Sequence, residues 1–199
     1  MSERFNSAAA GWDKGDMRQN ISDAVFKTIV SRIALTNNMK IMDFGAGTGL
    51  LSFKIAPMVG SVVGVDLSEK MLEQLEAKNT EALSVEALYH DILASSLGCE
   101  FNGIVSSMAM HHVEDTAHLF REFYAHLKKD GFIAIADLEE EDGSFHSHGN
   151  EGVHHFGFNR EQLRHTIENA GFKNIRFHEA YRVEKENGSY PIFVVTAIK

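Results

Sequence analysis

Lys40-Ile41-Met42-Asp43-Phe44-Gly45-Ala46-Gly47-Thr48-Gly49 is the stretch on which the fold turns. Its first five residues are mostly apolar, the length of a buried strand, and they run straight into glycines at alternate positions. Glycines spaced in this way let a backbone approach a ligand closely. Leu50–Ala56 follows with helical spacing up to Pro57, so the first N–H groups of that helix face the same cleft. Strand, glycine turn and helix form the opening unit of an α/β sheet.

The pattern repeats on both sides. Ile21–Leu35 carries Ile21, Val25, Ile29 and Ile33 at helical spacing. Short apolar runs at Ser61–Val65, Ser84–Tyr89, Gly103–Ser107 and Phe132–Ala136 read as strands. Helices are predicted over Glu69–Lys78, with Ser68 as N-cap, and over Thr116–Lys128. The end reads as helix Arg160–Ala170, Gly171 as its C-cap, strand Asn174–Tyr181, a turn at Asn187-Gly188 and strand Ile192–Ile198. A turn that short forces the last two strands to pair antiparallel. The expectation is one α/β domain over residues 1–199, a doubly wound, mostly parallel sheet with helices on both faces.

Composition narrows the function. Lys and Arg number 19 against 28 Asp and Glu, and a net charge of −9 argues against a nucleic-acid partner. No apolar run is long enough to cross a bilayer, and the start lacks the order of a signal peptide. A lone cysteine, Cys99, excludes an internal disulfide and fits a reducing compartment, so the chain is expected in the cytoplasm, away from membranes. Oligomeric state is not legible.

The glycine loop departs from two familiar patterns. In GxGxxG the third glycine falls one residue later, where this chain has Leu50, and no Gly-Lys-Ser/Thr follows for a P-loop. Asp43, two residues before the glycines, would repel a pyrophosphate and suit a cationic ligand. Asp66 closes the second strand about twenty residues after the first glycine, where a carboxylate accepts from ribose hydroxyls. Asp91 sits just past the third strand, as a ligand contact or as a helix N-cap. The three carboxylates describe one ligand with a ribose and an amino group but no phosphate.

Asp43-Phe44-Gly45-Ala46-Gly47-Thr48-Gly49, Val65-Asp66-Leu67-Ser68, His90-Asp91-Ile92 and Ser107-Met108-Ala109-Met110-His111-His112-Val113 resemble the successive motifs of class I S-adenosylmethionine-dependent methyltransferases. The similarity spans roughly residues 5–199 and is greatest to the small-molecule branch that includes ubiquinone and menaquinone biosynthesis enzymes. It implies a seven-stranded sheet ordered 3-2-1-4-5-7-6 and S-adenosylmethionine as cofactor. Gly45, Ala46, Gly47 and Gly49 would wrap the methionine part, with Asp43 near its amino group. Asp66 would hold the ribose, Leu67 flank the adenine, Asp91 and Ile92 read its edge, and Ser107 and Met108 line the cofactor. The N-terminal segment, residues 1–20, resembles a cap in which Phe5 and Trp12 form apolar walls. Trp12 then either attracts the sulfonium through its ring face or serves a docked helix.

The acceptor side is less determined. The segment after the fourth strand lacks the Pro-Pro motif of base-methylating relatives, which favours a small-molecule acceptor over RNA or protein; a non-catalytic binder of the cofactor is the remaining alternative. His111 and His112 are candidates for a base or for loop structure. Residues 138–158 form a long polar loop with His146, His148, His154 and His155, either a substrate site with His154 or His155 as proton acceptor or a solvated surface. His146-x-His148 followed by His154-His155 matches no usual ligand spacing, and Met108-Ala109 replaces the Asp that catechol-type relatives use for magnesium. No metal is expected.

Overall fold

A computed structural model describes residues 2–146 and 149–199. Ser147 and His148 of the loop lie outside the described residues. Seven strands are found there: β1 (Lys40–Phe44), β2 (Ser61–Asp66), β3 (Glu86–Tyr89), β4 (Phe101–Ser107), β5 (Leu127–Leu138), β6 (Lys173–Lys185) and β7 (Gly188–Ile198). They form one sheet in the order β3-β2-β1-β4-β5-β7-β6, as the motifs implied. Neighbours from β3 to β5 run parallel, whereas β7 runs antiparallel to both β5 and β6.

Alternation along β5 shows how the sheet divides its two cores. Ile133 and Ile135 pack with Leu119, Phe120 and Phe123 of α5 (Thr116–His126) and with Leu163 and Ile167 of α6 (Arg160–Asn169). Ala134 and Ala136 face the other way, into the cluster that includes Ile21, Val25 and Ile29. Those three lie on α2 (Asp16–Arg32), which follows α1 (Ser2–Ala8) and a 3-10 turn over Ala9–Lys14. Both faces being covered, the central strands are continuous apolar runs. α3 (Ser52–Ile55) and α4 (Glu69–Glu76) complete the helices among the described residues, and none of the six is long and apolar enough to cross a membrane.

Local chemistry sets several boundaries. Ser68 accepts from the Met71 N–H at 3.2 Å as the expected N-cap of α4, and Asp115 and Asn159 cap α5 and α6. Elsewhere the sequence expectation needs correction. The helix predicted over residues 50–56 is a single turn of α-helix, passing into a 3-10 turn, Ala56–Met58, that contains Pro57. The predicted helix end at Lys128 is already extended strand from Leu127, and Asp130, at φ +60°, sits in an irregular stretch of β5 between the pairings of Leu127 and Phe132 with β4. β6 and β7 are longer than expected and pair up to Lys185 opposite Gly188, so Glu186-Asn187 make the turn.

The first five strands end at one rim. β1 lies between β2 and β4, so connections leave it toward opposite sides of the sheet, and a crevice opens at that switch point.

Candidate active site

The glycine loop owes its shape to β2. Gly45 and Ala46 donate their N–H groups to the Val65 carbonyl at 2.8 and 3.1 Å. Gly45 and Gly47 have φ of +67° and +54°, the left-handed region that glycine enters at little strain. Asp66 then locks the turn: its carboxylate accepts from the Gly47 N–H and the Ser68 N–H, each at 2.8 Å. Burial pushes its carboxyl above the usual range, against the pull of these amides. A side chain at Gly47 would meet no protein atom within 4 Å, so that face of the loop opens onto the cleft. Gly49 differs: its side-chain direction points at Phe53 and Leu75, and it shapes the turn without lining the cleft.

Asp43 is buried under the loop and accepts from the Ser52 hydroxyl at 2.5 Å. Burial, with Asp66 nearby, raises its carboxyl to about 7. Leu67 and Tyr89 line the opposite end and are 44% and 57% exposed, apolar surface open to the cleft. Asp91 lines the same end while one of its oxygens accepts from the Leu93 N–H at 2.9 Å, so it also caps its own turn. Ile92 beside it is buried.

The N-terminal segment lies across this half of the cleft. Asp13 accepts from the Thr48 hydroxyl at 2.6 Å and pairs with Lys78. Asn6 accepts from the Ser68 hydroxyl at 2.7 Å. Trp12 lines the cleft, with the Arg18 guanidinium 4.0 Å from its ring centre. One face of the indole is thus taken by Arg18, and a sulfonium could meet only the other.

The far half is built from imidazoles. Ser107 lines the cleft at the end of β4, and Met108 turns with φ of +59°, a conformation a long side chain rarely adopts. Its N–H donates to Ala136 on β5 at 2.9 Å. His111, 2% exposed, is held twice by the fully buried Asp137 at the end of β5. The His111 N–H donates to Oδ2 at 3.0 Å, and ring Nδ1 pairs with Oδ1 at 2.8 Å. His112 donates Nδ1–H to the Gly152 carbonyl at 2.6 Å. Its ring is held down to a pKa of about 4 by burial and by His111 alongside. His146 reaches the same place from the loop, its ring centre 5.2 Å from that of His111. Burial, then His111, Arg4 and Lys185, hold it likewise to about 4.

The loop is tied down at several points, while Gly149, Asn150, Glu151, His154 and Phe156 stay exposed. The His154 and His155 N–H groups both donate to the His111 carbonyl, at 3.0 and 3.2 Å. Arg4 donates to the Glu151 carbonyl at 3.0 Å, and Phe145 is buried against Tyr190. His154 lines the cleft. His155 does not: its Nε2–H donates to the Val113 carbonyl at 2.9 Å and its ring packs on Phe158, which corrects its place among the proton acceptors. Asp137 and His146 were the residues sequence reasoning undervalued. The signal for Asp137 lay in its position, a carboxylate ending an otherwise apolar strand.

The two halves enclose one cleft of about 1030 Å³. The description "methyltransferase domain" matches residues 16–176. An uncharacterized methyltransferase of Schizosaccharomyces pombe is 30% identical over 164 residues, 74% of this chain and 58% of that one. A ubiquinone biosynthesis O-methyltransferase of Pelagibacter ubique is 31% identical over 106 residues, 52% of this chain and 43% of that one. The chain thus spans about half the length of the curated relatives it matches. Among solved structures, a chain of the complex between the Haloferax volcanii Trm112 methyltransferase activator and a methyltransferase superposes with a TM-score of 0.79. It is 16% identical and covers 98% of this chain and 96% of that one, a likeness of fold.

Proposed function

The chain belongs to the class I S-adenosylmethionine-dependent methyltransferase family, and from that premise we propose that it methylates a small molecule held between the N-terminal segment and the histidine loop. The observation that carries this is the joining of the glycine-loop half and the imidazole half in one cleft of about 1030 Å³, room for a cofactor and a modest acceptor together.

The cofactor fits the residues present. Gly47 leaves open space where a side chain would stand, and the exposed Leu67 and Tyr89 offer an apolar slot for a purine. Asp43 would face the amino group and Asp66 the ribose through the lone pairs its two amides leave free. When bound, S-adenosylmethionine supplies an electrophilic methyl group on a sulfonium.

The chain's own residues do three things around that group. The glycine loop and Trp12 fix its position, and positioning alone contributes up to about 7–11 kcal/mol in such displacements. The loop anchored on His111 brings His146 and His154 to the acceptor end. Imidazoles stand at the acceptor end: Asp137 holds Nδ1 of His111, and the Gly152 carbonyl accepts from Nδ1 of His112, so Nε2 is the ring atom left to meet the acceptor on each. The cleft's volume and the net charge of −9 support a small acceptor over RNA or protein, as does the relative named for ubiquinone biosynthesis.

Titration calorimetry with S-adenosylmethionine, S-adenosylhomocysteine and NAD, followed by labelled methyl transfer to phenols, thiols, amines and quinols, tests the reading. Binding of the first two without NAD, and transfer to a member of the panel, is the expected result. NAD binding at equal strength, or transfer only to RNA or protein, overturns it.

A further inference from the structure

We propose that His111, His112 and His146 form a binding site for one divalent transition-metal ion of the zinc type, with a coordination position left open to the acceptor end of the cleft. One nitrogen from each of the three rings lies within 4.8 Å of the others. On a tetrahedral ion with bonds of about 2.0–2.1 Å, such nitrogens stand about 3.3 Å apart, so small ring rotations close the set.

The surroundings suit ligands more than structural histidines. Asp137 takes the Nδ1 side of His111 and the Gly152 carbonyl that of His112, the outer hydrogen bonds that orient a metal-binding imidazole and leave Nε2 to coordinate. His146 Nδ1 is buried without a hydrogen-bond partner among the described residues. A buried polar nitrogen in that condition is costly, and a metal bond would satisfy it. Three nitrogen donors select zinc, cobalt, nickel, copper or iron over magnesium and calcium, which want oxygen. Three protein ligands also leave the coordination shell incomplete, the arrangement of a site that takes up a further ligand. All three rings line the cleft, so that ligand comes from the acceptor side. With the ion bound, the rings meet an acceptor's oxygen, sulfur or nitrogen through its open position instead of directly, and that use rests on the methyl-transfer reading; the binding of the ion does not.

The test is Co²⁺ titration of the chelator-treated, untagged chain, followed by visible absorption, with Zn²⁺ as competitor and S-adenosylhomocysteine calorimetry run beside it. One equivalent of Co²⁺ should give a low-coordinate spectrum that Zn²⁺ displaces. His146→Ala and His112→Gln should abolish it, and Asp137→Asn should weaken binding about 10–100-fold. His165→Ala, on the exposed face of α6, should leave it unchanged. Absence of the spectrum in the unaltered chain, or an unchanged Co²⁺ dissociation constant in His146→Ala, overturns the site. Failure of Co²⁺ with S-adenosylhomocysteine still bound removes the metal alone. Failure of S-adenosylhomocysteine with Co²⁺ bound removes the cofactor reading and leaves the metal site standing.

Discussion

Replacing Asp66 by Ala probes fold and site at once, because its carboxylate serves both. In the free protein the change removes two hydrogen bonds, from the Gly47 and Ser68 N–H groups, each at 2.8 Å to a charged acceptor. Bonds of that kind contribute about 1.5–3 kcal/mol each. Against their loss stands the relief of burying a carboxylate whose pKa is raised by desolvation. A net loss of about 2–4 kcal/mol is the balance, worth a fall of about 5–15 °C in melting temperature for a domain of this size. Cofactor affinity suffers separately, through the ribose contacts and through a glycine loop no longer pinned at Gly47. The S-adenosylhomocysteine dissociation constant should rise at least tenfold, or about 1.4 kcal/mol. Calorimetry well below the melting transition, paired with thermal unfolding, separates the two effects. Unchanged melting would refute the locking role drawn from the two amides. Lower melting with unchanged affinity would make Asp66 a structural residue only.

Gly47→Ala places a methyl group at φ +54° in space the protein leaves open, so it should cost about 1–3 kcal/mol of stability and at least tenfold in cofactor affinity; unchanged calorimetry would put the ligand elsewhere. Asp43 should govern part of the pH dependence of stability. Its folded pKa of about 7 stands above the unfolded value near 3.8, so the folded state holds a proton that the unfolded state releases, and stability is lost as pH rises from about 4 to 7. Asp43→Asn keeps an acceptor for Ser52 and should flatten that fall, gaining about 2–4 kcal/mol at pH 8 in urea unfolding; an unaltered pH profile would contradict the burial argument.

The glycine-loop side of the cleft was legible because its signals are local. Glycines 45 and 47, Asp66 and Leu67 lie within one short span of chain, and a loop of that composition at a strand end has few uses. The sheet order followed from motif resemblance and from the short final turn. The imidazole side was not legible, for a physical reason. His112 and His146 stand 34 positions apart, and only the parallel pairing of β4 with β5, Ser107 opposite Ala136, brings residues after the two strands together. Periodicity carries no information about such meetings. It also hid the commitments of side chains whose positions were foreseen: Arg18 over Trp12, the Val113 carbonyl on His155, and the backbone amides on Asp66.

The carbonyl of His111 is where the strand-end side and the loop side of the cleft are fastened together. It receives the N–H groups of two loop residues, His154 and His155, while its own residue is clamped by Asp137 and its neighbour's ring by the Gly152 carbonyl of the same loop. Any displacement of that loop would part the Gly152 carbonyl from His112 and carry His146 with it, so the spacing of the three rings depends on one backbone oxygen keeping its two donors.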